Sequence, residues 1–310
     1  MTSLRSVAIV GAMLVVGAAA TAQSQSPATT DSSVGVLIVA HGADAEWNAR
    51  VDSLAAEVRR GGAVRGPVAV SFLMGPAAEV RRFQNEIAAL QRAGARRVVV
   101  VPMLVSSHSG HYDQIRYLVG ELKQLDDEMQ HHLQMSGIER VTNVPMVVTR
   151  ALDDAPEMAT VLAARAKTLS PAPAGRALFL FGHGPNSAED YATWMSNLRT
   201  VADSVKTITG FASVAVELVR DDAPPEVRGE AVKRAREIIG LQRAATGHDV
   251  VVVPILVSSG DVSRRKLPAD LAGTPIVYSG EPLLPDAQLA RWVERRVIAA
   301  TRAWVTGTVR

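Results

Sequence analysis

Short apolar runs recur along the chain, each bounded by polar residues or by glycine. The run GVLIVA ends just before His41, and the similar run ALFLFG ends just before His183. Runs of this length that are rich in Val, Ile and Leu are typical of strands buried on both faces. Between them, stretches such as AEWNARVDSLAAEVRR place apolar residues at helical spacing. The pattern therefore predicts strands that alternate with helices.

The same order of segments occurs twice. VPMLVSS at positions 101–107 returns as VPILVSS at 253–259, and both halves contain LQRA followed by VVVVP. Such self-similarity indicates a tandem duplication. Strand–helix alternation predicts parallel sheets with helices on both faces, because parallel strands need crossover connections. We therefore expect an α/β protein with two similar lobes, each built on a four-stranded parallel sheet.

Composition suggests where the two lobes begin and end. We expect the first lobe at residues 34–167 and the second at 177–310, joined by the proline-rich linker TLSPAPAGR at 168–176. The first 22 residues have the pattern of a secretory signal peptide, with Arg5 before an apolar run that is short for a membrane span. The polar residues 23–33 then read as a disordered tether.

The N-terminal pattern also predicts where the protein acts. An A-x-A motif ends at Ala22, so we expect cleavage there and an exported protein, periplasmic or secreted, without a stable membrane anchor. An uncleaved anchor is the alternative. The 310 residues contain no cysteine, which excludes disulfides and a lipid-modified cysteine, and a core of this size can fold without them.

Charge and motifs exclude several classes of function. A net charge of +2, with no long basic run, argues against a dedicated nucleic-acid binder. Neither the G-x-S-x-G motif of serine hydrolases nor a phosphate-binding G-x-x-x-x-G-K-[ST] loop occurs. The sequence leaves the oligomeric state open.

Histidines follow two strands that we expect to be neighbours. His41 ends the first strand, and His108 and His111 lie in the turn after the third strand. In the common strand order 2-1-3-4, ligands bind where strands one and three diverge, and neighbouring strands lie about 4.8 Å apart. His41 can therefore converge with His108 or His111 on one ion. Neutral imidazole ligates Co²⁺, Ni²⁺ and Fe²⁺ well.

Three features occur together in this chain: a strand that ends in His-Gly, a VVVVP strand followed by further histidines, and a duplication. In this combination the chain resembles the CbiX/SirB class of sirohydrochlorin chelatases. The resemblance spans residues 34 to 300 and implies two flavodoxin-like, chelatase-like lobes. It also implies an enzyme of siroheme or cobalamin biosynthesis that inserts Co²⁺, Fe²⁺ or Ni²⁺ into a tetrapyrrole, without an organic cofactor. Under it, His41, His108 and His111 are metal ligands and catalytic residues, with His41 also accepting a proton.

Two departures from the family pattern bear on catalysis. The resemblance implies an acidic residue at the end of strand two, where this chain has Met74 in the first lobe and Arg220 in the second. The positions that match His108 and His111 are Gly260 and Ser263 in the second lobe. We therefore expect a degenerate second site, with His183 structural or in distant contact with substrate.

Further candidates concern substrate binding. Ser106 and Ser107 are expected to cap the helix after strand three or to hold a substrate carboxylate. Arg264 and Arg265, with Lys266, are candidates to pair with carboxylates of a tetrapyrrole, although an ordinary charged helix start explains them equally. The alternative function is an exported carrier that binds metal or tetrapyrrole without turnover, which export and Met74 both favour.

Overall fold

A computed structural model describes residues 29–307. The expected signal peptide at 1–22 and the first part of the expected tether lie outside the described residues. Within the described range, no helix combines the length and the apolar character needed to span a membrane.

The first half of the chain forms a sheet of four parallel strands with helices around it. The strands have the order β2-β1-β3-β4. They are β1 (Val34–Ala40), β2 (Val68–Phe72), β3 (Arg97–Met103) and β4 (Met146–Val148). The helices are α1 (Ala45–Gly61), α2 (Pro76–Val80), α3 (Phe83–Arg92), α4 (Gly110–Val119), α5 (Asp127–Met135) and α6 (Pro156–Leu169).

The second half forms another sheet of four parallel strands, with the equivalent order β6-β5-β7-β8. These strands are β5 (Ala177–Gly182), β6 (Ser213–Leu218), β7 (Val250–Ile255) and β8 (Ile276–Tyr278). The helices are α7 (Ala188–Thr209), α8 (Pro225–Thr246), α9 (Leu267–Asp270), which follows a π-helical turn at Val262–Lys266, and α10 (Ala287–Val305). The predicted two-lobed α/β fold is confirmed.

Register brings the ends of the central strands level with each other. Ala40 at the end of β1 pairs with Phe72 of β2 and with Met103 of β3. Gly182 at the end of β5 pairs in the same way with the last residues of β6 and β7. In each lobe the chain after the first strand therefore emerges where the strand order reverses, which is where this architecture binds ligands.

The last helix of each half packs against the other half. Helix α6 lies on β7 and α7 of the second sheet, whereas α10 lies on α1 and β3 of the first sheet. A single cluster of buried side chains consequently extends from Val36 of the first sheet through Trp292 of α10 to Leu178 of the second. The expected boundaries at 167 and 177 separate the two sheets. However, the chain segment on each side of the linker ends in a helix that covers the sheet of the other segment.

Candidate functional site

The loop after β1 holds His41 against the end of β2. Gly42 has φ of 90°, and a Cβ on it would lie 2.3 Å from the carbonyl oxygen of Met74, so only glycine fits there. The buried Asn48 donates to the Ala43 carbonyl at 3.1 Å and accepts from the Ala43 amide at 3.0 Å. Both features fix the backbone on which His41 is mounted.

Hydrogen bonding determines which nitrogen of His41 carries the proton. Its Nδ1 lies 2.7 Å from the Gly42 carbonyl oxygen, which can only accept, so Nδ1 is protonated and Nε2 offers a lone pair. Burial lowers the pKa of His41 to about 4, and His111 contributes in the same direction. The imidazole is therefore neutral at neutral pH and ready to bind a cation.

His111 in the first turn of α4 has the same arrangement. Its Nδ1 lies 2.8 Å from Oε1 of the buried Gln114, whose own Nε2 donates to the Met129 carbonyl at 2.8 Å. That second bond fixes the orientation of the amide, so Oε1 accepts from Nδ1–H and leaves Nε2 of His111 free. Burial lowers the pKa of His111, although the bond to Gln114 acts in the opposite direction.

The structure brings His41 and His111 together. Their ring centroids are 4.7 Å apart with an interplanar angle of 81°, and Trp47 lies beside them with its ring 6.5 Å from that of His41. Imidazole nitrogens with free lone pairs are suitable ligands for a borderline divalent cation, so this arrangement is compatible with the predicted metal site. Their other nitrogens are held by hydrogen bonds, as is usual for metal-binding histidines.

His108 does not complete this pair. Among the described residues, the His41 ring is in contact with that of His111, whereas no ring contact of His108 is found. Its backbone instead connects the lobes, because the Trp194 indole Nε1 donates to the His108 carbonyl at 2.5 Å. The role of His108 as a ligand stays a prediction that the geometry does not favour.

The expected helix-capping role of Ser106 and Ser107 is wrong. Ser109 caps α4 by accepting from a backbone N–H of its first turn at 3.3 Å. Ser106 accepts from the His108 amide at 3.1 Å, and the Ser107 hydroxyl donates to Asp153 at 2.8 Å. The helix begins later than the double serine suggests, so both hydroxyls brace the preceding loop. Their role in binding a substrate carboxylate is untested.

The basic residues after β7 pair with carboxylates of the chain itself. Arg264 reaches across to the first lobe and contacts Asp44 and Glu46, both at 2.9 Å. Arg265 makes two 2.7 Å hydrogen bonds to Asp261. A substrate carboxylate would therefore compete with existing partners at both arginines.

In the second lobe, His183 is paired with an acid. Its Nδ1 lies 2.9 Å from the Gly184 carbonyl oxygen, and its Nε2 lies 3.3 Å from Oδ2 of Asp222. Burial by itself lowers the pKa of His183. The hydrogen bonds that its ring donates to Asp222 and to the Gly184 carbonyl outweigh burial and raise the pKa above its usual value. The adjacent Asp221 lies close enough that one ligand atom from each of the three residues falls within 4.8 Å of the others.

Sequence reasoning missed this pair of aspartates. The signal was present, because RDD directly follows β6, the neighbour of the strand that ends at His183. The two aspartates come directly after Arg220, which occupies the position where the family pattern implies an acid.

The histidines of the two lobes lie near one another. Beyond burial and His111, the pKa of His41 responds to His183, which lowers it, and to Asp222, which raises it. The pKa of His111 responds to the same two groups. Direct contacts show that the carboxyl ends of the two sheets lie opposite one another. Arg264, after β7, contacts Asp44, after β1, at 2.9 Å, and the Trp194 indole reaches the His108 carbonyl.

Comparison with known proteins agrees with this geometry. The sequence model of the CbiX family matches residues 35–169. Among solved structures, SirB from Bacillus subtilis with Fe³⁺ superposes with a TM-score of 0.57 at 17% identity, covering 88% of this chain and 97% of that one. No curated protein gives a significant match.

Two further structures share the fold. CbiX, described as the terminal enzyme for biosynthesis of siroheme in denitrifying bacteria, has a TM-score of 0.51 at 16% identity and covers 86% of this chain and 99% of that one. The multi-domain DR2241 from Deinococcus radiodurans, described as similar to chelatases, has a TM-score of 0.54 at 20% identity, with 88% and 55% covered. The first lobe thus matches the CbiX family model, and the chain as a whole shares the fold of these solved structures.

Proposed function

We propose that this protein is a metal chelatase, a lyase that inserts a divalent metal into sirohydrochlorin or a closely related tetrapyrrole. The observation that carries the proposal is the pair of His41 and His111, whose rings are in contact and whose Nε2 atoms both keep a free lone pair. The match of residues 35–169 to the CbiX family model supports the substrate class.

The chemistry follows from the ligand set. Two imidazoles hold a partly dehydrated ion weakly enough to release it, and the open coordination positions can accept pyrrole nitrogens. Four metal–nitrogen bonds form while two N–H bonds break, so two protons must leave. Because burial lowers the pKa of His41 to about 4, His41 is better suited to hold the metal than to accept those protons at neutral pH.

Several finer points are part of the proposal. Co²⁺, Fe²⁺ and Ni²⁺ all suit imidazole ligands, and the ligand pair does not discriminate among them. Export to the periplasm is supported by the signal-like first 22 residues. Origin by internal duplication is supported by the shared strand order of the two sheets and by the repeated VVVVP segments.

A spectroscopic assay tests the proposed reaction. Purified protein with sirohydrochlorin and Co²⁺ should change the tetrapyrrole absorption spectrum, and the double variant His41→Ala, His111→Ala should lower the rate at least about 100-fold. The exposed His248 provides a matched control, since His248→Ala should leave the rate unchanged. Equal rates for the wild type and the double variant would refute the proposed reaction.

A carrier without turnover is the second candidate, and Met74 favours it. The structure places the Met74 backbone directly against the loop that carries His41, where a carboxylate side chain is missing. A carrier would bind Co²⁺ or the tetrapyrrole at equilibrium, while the spectrum of the metallated product would not develop faster than in buffer.

A further inference from the structure

The imidazole of His183 faces a carboxylate in a way that requires a positive charge between them. The Gly184 carbonyl oxygen accepts from Nδ1–H at 2.9 Å, as the Gly42 carbonyl does for His41. The neutral ring therefore points the lone pair of Nε2 toward Oδ2 of Asp222 at 3.3 Å. Two electron-rich atoms at this distance are stable only with a proton or a metal ion between them.

A second carboxylate lies at the same place. The side chain of Asp221 is 2% exposed and is oriented by Arg228 at 3.1 Å and by the Lys266 ammonium. One oxygen of each aspartate and one nitrogen of His183 lie within 4.8 Å of one another, which is the spacing of ligands around a single ion. No other set of three such residues occurs within the described part of the chain.

The fold explains why these side chains meet. Gly182 ends β5 and pairs with Leu218 at the end of β6, so the residues that follow the two strands are neighbours. Arg220 adopts φ of 54°, and the turn it forms places Asp221 and Asp222 beside His183 at the carboxyl edge of the sheet. The residues lie outside the segment 35–169 that matches the CbiX family.

We propose that His183, Asp221 and Asp222 form a second divalent-cation site, distinct from the pair of His41 and His111. One imidazole nitrogen with carboxylate oxygens suits a borderline first-row ion such as Co²⁺, Ni²⁺ or Zn²⁺. The second lobe is then not a degenerate copy but holds an ion with a different ligand set. The site does not depend on the proposed chelatase activity, because it requires only that an ion bind.

Binding stoichiometry tests the second site. Metal-free protein titrated with Co²⁺ in a calorimeter should bind two equivalents, and Asp222→Asn should bind one. The double variant His41→Ala, His111→Ala should also bind one, and combining it with Asp222→Asn should abolish binding. Asp203→Asn removes an exposed carboxylate from α7 of the same lobe and should retain two equivalents.

The outcomes separate this proposal from the proposed function. A wild type that binds a single equivalent, or an Asp222→Asn variant that still binds two, would overturn the second site whatever the chelatase assay gives. Two equivalents without chelatase activity would support the site and refute the enzyme. Asp222 is largely exposed, so its substitution should fold, and His183→Gln provides an independent variant with the same expected stoichiometry.

Lys266 allows a test in the opposite direction. Its ammonium contacts Asp221 and competes with an incoming ion for the same carboxylate. Lys266→Met should therefore tighten Co²⁺ binding at the second site severalfold and enlarge the rise in melting temperature that Co²⁺ produces. If the cluster is only an internal network of ion pairs, Lys266→Met will lower the melting temperature and Co²⁺ will not restore it, which would contradict the proposal.

Discussion

At the scale of single residues, the groups that accept a hydrogen bond from each Nδ1 determine which nitrogen of each histidine is free to bind an ion. The amide of Gln114 is held by the Met129 carbonyl and in turn fixes the proton of His111 on Nδ1. The Gly42 carbonyl does the same for His41. Each Nε2 thereby keeps a free lone pair while its ring is held in place, which lowers the entropic cost of binding an ion.

Gln114 should control metal affinity although it does not touch the ion. In Gln114→Leu the Nδ1 proton of His111 loses its acceptor, so the ring can change tautomer and orientation, and Co²⁺ affinity should fall about 10- to 100-fold. Calorimetry in the Asp222→Asn background isolates the imidazole pair. Gln84→Leu, which removes an amide bonded to the Gly137 carbonyl in the same lobe, is the control. Unchanged affinity in Gln114→Leu would show that the hydrogen bond has no such role.

His108 and His111 should differ sharply in their contribution to metal binding. His111→Ala removes one of the two paired imidazoles and should weaken Co²⁺ binding at least about tenfold. His108→Ala should change the affinity less than about threefold, because only its backbone is engaged, with Ser106 and Trp194. Titration of both variants, again with Asp222→Asn, measures this difference. The reverse ranking would restore the ligand role that the sequence suggested for His108.

Part of the site could be predicted from the sequence and part could not. Strand order alone implied that His41 would meet a histidine that follows β3, and the structure brings it to His111. Which of His108 and His111 contacts His41 depends on where α4 begins. The sequence pattern placed the cap at Ser106 and Ser107, whereas Ser109 caps the helix. The pairing of His183 with Asp222 depends on the turn at Arg220, whose positive φ no pattern indicated.

At the scale of elements, apolar runs and helical periodicity were sufficient for the strands and helices but not for their partners. The apolar stripe along a helix shows that one face of the helix is buried, but it does not show which sheet covers that face. Helix α6 follows β4 of the first sheet yet covers β7 and α7, and α10 returns to cover α1 and β3. Which sheet a helix covers is a property of the tertiary fold, which the residue ranges of the expected lobes do not specify.

Trp292 should be the most costly single truncation on the exchanged helix α10. Its side chain is fully buried in the cluster that joins both lobes, and Trp292→Ala should reduce the free energy of unfolding by about 3–5 kcal/mol. Urea denaturation followed by circular dichroism measures this loss. Leu241→Ala on α8 truncates an apolar side chain that is 72% exposed and should cost less than about 0.5 kcal/mol. Similar losses for the two variants would mean that α10 packs loosely.

At the scale of the whole molecule, the histidines of the two lobes stay near one another only while the lobes keep one relative position. Besides the exchanged helices, polar contacts cross the interface: Arg165 donates to the carbonyls of Pro282 and Pro285 at 3.1 and 2.9 Å, and Arg295 pairs with Glu157 at 2.7 Å. Exposed ion pairs contribute little to stability, so the buried apolar cluster is the main link. The proposed metal-binding residues of both lobes are therefore carried by one folding unit rather than by two.

Cutting the linker should not release the lobes from each other. A protease site inserted after Ala172 lies in an exposed segment, and cleavage there leaves fragments that each carry the helix covering the other's sheet. Separation would expose the buried faces of α6 and α10 at about 25 cal/mol per Å² of apolar surface. The fragments should therefore co-elute in gel filtration and dissociate only in denaturant, at a lower urea concentration when Trp292→Ala is also present. Fragments that separate in native buffer would show that each lobe closes on its own helix, as the sequence alone suggested.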